Sequence, residues 1–343
     1  MKVLAGDIGG TKTSVAFVQV LGRRLKLGAH ARYPSGEYAS LEDILADFLA
    51  REGRPPAVAA FGIAGPVREG RAEVTKLPWI IEEKRLARRL GISRVRLVND
   101  FVAAALGLTR VPSRSIATLS RGEPEPEGPI GLIGAGTGLG QAMLLSVGGR
   151  YEPFASEGGH ADFGPCNARE DRLVRFVRAR HGRVSRDRLL SGEGLRLLYD
   201  FLKADGAARE STAVRRAFAS EDRSAVISRF ALAGRDKLCA EALRFFVSIY
   251  GSEAGNLALQ YRATGGVYLG GGIAPRILPA LRENGFLEAF CSKPPLEGFL
   301  RKVPVRVVLK PELGLIGAAA AAYRTAIETS RPSSKTRTRR AAV

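Results

Sequence analysis

The sequence predicts an α/β protein of two domains, and three observations carry that prediction. The chain runs to 343 residues, about twice the size of a usual domain. Short apolar runs of strand length alternate with longer runs of helical period, the pattern of sheets flanked by helices. A strand, a Gly/Thr turn and a second strand occur around residues 7–11, and the same arrangement recurs in outline around 134–140. Two halves of similar design facing one ligand follow from that repetition.

The elements justify themselves in order. Residues 2–6 and 14–20 are apolar strands separated by Gly9 and Gly10, a hairpin, and 25–33 is a third strand. Ser40 opens a helix: Asp43 stands three residues on, as in a capping box, and Leu41, Ile44, Leu45, Phe48 and Leu49 form one apolar stripe. Pro55 and Pro56 end it, and 57–61 is a buried strand. A helix is expected over 81–90, stopped by Gly91. The run 95–98 is a buried strand that ends in Asn99 and Asp100, with a helix over 101–108 directly after it. The Pro-rich stretch 121–129 reads as a connector. Beyond it lie strands over 130–133 and 141–147, and helices over 169–180, 194–203 and about 235–263. A strand over 266–269 runs into Gly270, Gly271 and Gly272, with a helix expected from about Pro275. A last strand over 305–309 and an Ala-rich helix over 315–327 complete the series.

Composition excludes several classes. No apolar run reaches the roughly 18 residues of a membrane span. The start goes straight from Met1 into a strand, so no signal peptide is expected. Cys166, Cys239 and Cys291 lack C-x-x-C spacing, which argues against structural zinc and for a reducing, cytoplasmic setting. The net charge is +19, from 53 basic and 34 acidic residues. The tail at 330–343 contributes Arg331, Lys335, Arg337, Arg339 and Arg340 with no acid, and its composition predicts disorder. No nucleic-acid-reading motif accompanies the charge, so a field attracting anionic substrates is the better reading and nucleic acid is not expected as a partner.

The chemistry-bearing residues cluster at strand ends. Where an open α/β sheet ends, ligands bind beyond the carboxyl ends of its strands, so Asn99 and Asp100 either cap a helix or meet a ligand. The turn Gly9, Gly10, Thr11, Lys12 offers freed N–H groups, a hydroxyl and an ammonium, which suits phosphate. Asp7 precedes it, placed to hold Mg²⁺ directly or through water. This is not a Walker A loop, because Thr11 precedes Lys12 and a strand follows. The turn at Gly136, Thr137 and Gly138 is a second such nest; its dinucleotide-fingerprint likeness fails because a strand, not a helix, comes next. Glu157 and His160 place a carboxylate and an imidazole on a Gly-rich connector, suited to a polyhydroxylated ligand. His30 and His181 read as structural or solvated.

Taken together these stretches resemble the bacterial glucokinase family of the actin–hexokinase–Hsp70 superfamily, over about residues 2–327. The carriers are Gly-Asp-Ile-Gly-Gly-Thr at 6–11, Asn-Asp-Phe at 99–101, Gly-Ala-Gly-Thr-Gly-Leu-Gly at 134–140, Glu-Gly-Gly-His at 157–160, Leu-Ser-Gly at 190–192 and Gly-Gly-Gly-Ile at 270–273. The resemblance implies a two-domain actin-like ATPase/hexokinase (ribonuclease H-like) α/β fold with a cleft between the domains. The small domain would be 1–110 completed by the helix at about 315–327, and the large one 111–314. It implies transfer of the ATP γ-phosphoryl to the glucose 6-hydroxyl, with Mg²⁺ as cofactor and Asp100 as general base. Asn99, Asp100, Glu157, His160 and Asp187 would bind the sugar. Gly9, Gly10, Thr11, Lys12, Gly136, Thr137, Gly138, Gly271, Gly272 and Gly314 would bind the nucleotide, and Asp7 the metal. It also implies a homodimer.

Four positions depart from the family pattern. Ser156 stands where the family has Gly, Asp187 where it has Glu, Lys12 where many members have Asn, and Lys76 where Asn is usual. The Asp187 side chain is shorter by one methylene, and Lys76 stands at the rim of the sugar site. Two other readings stay open on the sequence: a kinase of another hexose or amino sugar, and a sugar-sensing regulator with little catalysis. Against the second, regulators of this kind carry an N-terminal DNA-binding domain, whereas Lys2 already opens the first strand.

Overall fold

The computed structural model describes residues 1–22 and 24–328, so the basic tail lies outside the described residues. The chain divides into two compact units, Met1–Arg110 together with the segment from Gly314, and Val111–Leu313.

In the first unit, β1 (Lys2–Ile8), β2 (Lys12–Leu21) and β3 (Arg24–Pro34) form an antiparallel meander. Helix α1 (Leu41–Glu52) leads to β4 (Val58–Ile63), parallel to β1. Ser40 caps α1 through its Oγ, which accepts the Asp43 N–H at 3.3 Å and donates to Asp43 Oδ2 at 2.6 Å. Leu41, Ile44, Leu45 and Phe48 are buried beneath it. A small antiparallel sheet follows, made of β5 (Val67–Arg68), β6 (Arg71–Glu73) and β7 (Ile80–Glu82). Helix α2 (Glu83–Leu90) therefore starts later than the sequence predicts, because residues 80–82 are paired with β6. Strand β8 (Arg94–Asn99) lies parallel to β4, and α3 (Asp100–Leu108) leaves from its end.

The main sheet has the order β3-β2-β1-β4-β8. Every residue of β4 is buried, as a central parallel strand covered on both faces requires. Asp7 faces Gly62 in register, and Ile63 faces Asn99, so Asp7 and Asn99 end on one edge of the sheet. The C-terminal helix Leu313–Glu328 covers this sheet: Leu315 and the alanines 318–322 share a core with Val3, Ala5, Ala16, Ala60 and Leu106.

The second unit repeats the pattern. After β9 (Ile116–Ser120), strands β10 (Ile130–Ala135), β11 (Leu139–Val147) and β12 (Arg150–Ser156) form an antiparallel meander. Six helices follow: α4 (Ala168–His181), α5 (Arg186–Leu189), α6 (Gly192–Ala204), α7 (Thr212–Phe218), α8 (Arg223–Leu232) and α9 (Lys237–Tyr261). Strand β13 (Gly266–Gly270) then pairs parallel to β10. Helices α10 (Leu278–Leu281), α11 (Asn284–Cys291) and α12 (Glu297–Lys302) lead to β14 (Val305–Val308). The order is β12-β11-β10-β13-β14-β9. The helix expected from Pro275 begins only at Leu278, because residues 271–277 form turns. The long helix α9 runs through the core, burying Leu243, Phe246, Tyr250, Ala254 and Leu257. No helix among the described residues is long and apolar enough to cross a membrane.

Candidate active site

The hairpin turn between β1 and β2 is held open by bonds from outside it. Gly9 N–H donates to Lys12 O at 3.0 Å, closing the turn. Ser35 Oγ donates to Gly9 O at 2.8 Å and its N–H to Thr11 O at 3.1 Å, while a hydrogen bond of 3.0 Å joins Ser35 to Thr13. Ser35 and Thr13 are fully buried, so this brace is shielded from water. Among the described residues the Gly10 and Thr11 N–H groups have no acceptor and are available to an anion. Lys12 and Thr11 are exposed beside them. Gly10 must be glycine, since a Cβ there would stand 2.5 Å from Thr75 O. Lys76, next along, has a backbone φ of 70°.

Asp7 lies one turn behind. Among the described residues no cation or donor is paired with its carboxylate, and burial pushes its carboxyl up from an ordinary 3.8 to about 6. A desolvated carboxylate with no partner suits a hard cation, bound directly or through water. Gly314, expected beside the nucleotide, packs against this carboxylate.

At the end of β8, Asn99 is the helix cap. Its Oδ1 accepts the N–H groups of Phe101 and Val102 at 3.0 and 3.2 Å, and its Nδ2 donates to Gly65 O at 3.2 Å. One amide hydrogen remains for a ligand. Asp100 is the first residue of α3, and its Oδ1 accepts the Phe101 N–H at 2.8 Å. Both side chains are partly exposed. The helix N-terminus favours Asp100 as an anion.

In the second unit the turn at Gly136, Thr137 and Gly138 follows the same rule. Gly136 N–H donates to Gly138 O at 2.8 Å, and Leu139 N–H to Asp187 Oδ1 at 2.6 Å. The Thr137 and Gly138 N–H groups have no acceptor among the described residues. Gly192 N–H donates to Gly136 O at 3.0 Å, which is the part the Leu-Ser-Gly motif plays here. Asp187, read from the sequence as a sugar contact, thus spends one oxygen bracing the turn. Gly271 has φ 75° and packs on the Ala135 carbonyl, with Gly272 beside it in open space.

Glu157 and His160 are both exposed and lie at the two ends of one short segment. That segment is not a loose connector. Residues 158–160 form a 3-10 turn, tied by His160 N–H to Glu157 O at 2.9 Å and by Arg186 N–H to Ala161 O at 3.0 Å. Arg183 adds a bond from Nη2 to His160 O at 3.0 Å and an ion pair with Asp162 at 2.6 Å. Behind the turn lies buried Glu253, whose Oε1 accepts from Gln141 Nε2 and Arg186 Nη1, each at 2.8 Å, and whose Oε2 accepts from Asn256 at 3.0 Å. Burial raises the Glu253 carboxyl above its ordinary range, opposed by those partners and by Lys293.

Ser35, Arg183 and Glu253 escape sequence reasoning. Each is a single polar residue far along the chain from the segment it holds, and only the hairpin register or the helix packing brings them together.

A family model for glucokinase matches residues 4–325. A glucokinase from Nostoc punctiforme is 40% identical over 340 residues, covering 94% of this chain and 99% of the relative. The crystal structure of a glucokinase from an Antarctic psychrotroph is 29% identical, with a TM-score of 0.79 over 94% of this chain and 99% of that one. A ROK family glucokinase from Streptomyces griseus, solved with glucose and AMPPNP, has a TM-score of 0.66 at 21% identity, covering 94% of this chain and all (100%) of the other. These likenesses show the two-domain actin-like α/β fold.

Proposed function

The chain belongs to the glucokinase family, and from that premise we propose how its residues divide the work of phosphorylating glucose with ATP. Phosphoryl transfer runs through a loose transition state, so the protein's task is to position the reactants and stabilise charge. The observation that supports this division best is the pair of turns, one in each unit, each with two adjacent N–H groups lacking an acceptor among the described residues. Gly9, Gly10, Thr11 and Lys12 bind phosphate oxygens of ATP in this reading, and Gly136, Thr137 and Gly138 do the same. Gly271 and Gly272 leave backbone open to the adenosine. Asp7 would hold Mg²⁺, which would supply charge neutralisation to the phosphates.

Glucose hydroxyls fall to Asn99, Glu157 and His160, with Asp187 contributing its second oxygen. Asp100 accepts the proton of the 6-hydroxyl as that oxygen bonds to the γ-phosphorus and the bond to the bridging oxygen of ADP breaks. Asn99 caps α3 through the Phe101 and Val102 N–H groups, and Asp100 shares the first of these through Oδ1. The three thiols are free, in keeping with a cytoplasmic enzyme, and light scattering tests the homodimer that the family implies.

The deciding variant is Asp100→Asn. It should bind glucose nearly as well as the parent while losing about 10²–10⁴-fold in turnover. Near-normal kcat in that variant removes Asp100 from the role.

A further inference from the structure

Glu253 belongs to none of the motifs above, yet two of its bonds go to residues that adjoin segments assigned to substrate. The carboxylate is buried on α9, with 4% of the residue exposed. One oxygen, Oε1, takes both Gln141 Nε2 and Arg186 Nη1 at 2.8 Å. A carboxylate can only accept, so Gln141 must present its amide nitrogen to Glu253 and turn its oxygen the other way. That oxygen lies against Gly158: a Cβ on Gly158 would stand 2.2 Å from Gln141 Oε1. Among the described residues it has no hydrogen-bond partner, a buried polar atom where the 3-10 turn of Glu157 and His160 rests on β11. Arg186, the other partner, gives its own N–H to Ala161 O at the end of that turn. Its neighbour Asp187 holds Leu139 N–H at 2.6 Å and so fixes the Gly136–Gly138 nest.

We propose that Glu253 is a positioning residue that sets the sugar-binding turn and the second phosphate nest from one buried carboxylate, acting through Gln141 and Arg186. The inference rests on the reading of Glu157 and His160 as sugar ligands. Its chemistry is simple. One anion fixes the orientation of an amide on which the sugar-binding turn packs, and the position of a guanidinium whose residue holds the end of that turn by its backbone N–H.

A coupled assay with glucose and Mg-ATP tests this on the full chain. Glu253→Gln keeps the shape and removes the pure acceptor. It should raise the glucose KM about tenfold, with a smaller fall in kcat. Gln141→Leu should raise the glucose KM as well, and the double variant should be no worse than Glu253→Gln alone. A purely structural role predicts additive effects, and an unchanged glucose KM in folded Glu253→Gln overturns the proposal. If Glu253→Gln does not fold, Gln141→Leu decides alone: a raised glucose KM supports the proposal and an unchanged one overturns it. His160→Ala in the same assay separates the two layers. If it leaves the glucose KM unchanged, the sugar-turn reading itself is wrong; if it raises the KM while Glu253→Gln does not, only the present inference fails.

Discussion

Gly314 lies so close to Asp7 that a Cβ on it would stand 2.7 Å from Asp7 Oδ2 and 2.9 Å from Asp7 Cγ. The first residues of the C-terminal helix thereby set the height of a carboxylate on β1. Gly314→Ala should displace that carboxylate. Turnover at saturating Mg-ATP should fall by at least about tenfold. The overpacking should cost about 1–3 kcal/mol in thermal or urea unfolding. Parent-like turnover would show that the Asp7 position is not critical.

Asp7 also makes a pH signature. Its carboxyl is raised from 3.8 to about 6, so the charged form is the costly one in the folded protein. The stability it contributes is full below pH 3.8 and is lost as pH rises through about 6. With metal removed by chelator, Asp7→Asn should be more stable than the parent at about pH 8, by about 3 kcal/mol. The difference should shrink as the pH falls towards about 4. Urea unfolding at the two pH values checks it; a constant difference would mean that the charge is not the cause.

Asn99 carries two duties that substitution can separate. Asn99→Ala loses the cap of α3 and should cost about 1 kcal/mol while raising the glucose KM. Asn99→Ser restores a capping oxygen and should recover the stability but not the KM. If both variants bind glucose normally, Asn99 is a cap and nothing more.

Lys76 occupies left-handed backbone at φ 70°, a region in which Asn and Gly are comfortable and a lysine is strained. This gives a physical reason for the family's preference for Asn there. Lys76→Gly should raise stability by about 1 kcal/mol, read from the denaturation midpoint. A loss of stability would mean that the side chain has contacts outweighing the strain.

The main sheet of the first unit and the core of the second are legible in the sequence because their strands are short, apolar and separated by glycine or proline. The paired Gly/Thr turns are legible for the same reason: their chemistry is local. The small sheet of β5, β6 and β7 is not, since strands of two or three residues carry no periodicity to read. Strand β12 is equally hidden, because Glu152 and Pro153 interrupt its alternation. The site divides along the same line. Asp7, Asn99 and His160 stand inside recognisable local patterns. Ser35 reads only as a loop serine, and Glu253 only as one charge on a long helix, until folding closes the distance between them and the turns they hold.

The C-terminal helix has a consequence for how the chain is made. Val3, Ala5, Ala16 and Leu106 are among the earliest core residues translated, yet the cover over them is Leu315 and the alanines 318–322. Val111–Leu313, by contrast, is one uninterrupted segment. During synthesis the unit encoded second can complete its core first, while the unit encoded first waits with an apolar face uncovered. Ribosome-bound chains stalled before residue 313 should therefore recruit chaperones through their oldest residues rather than their newest.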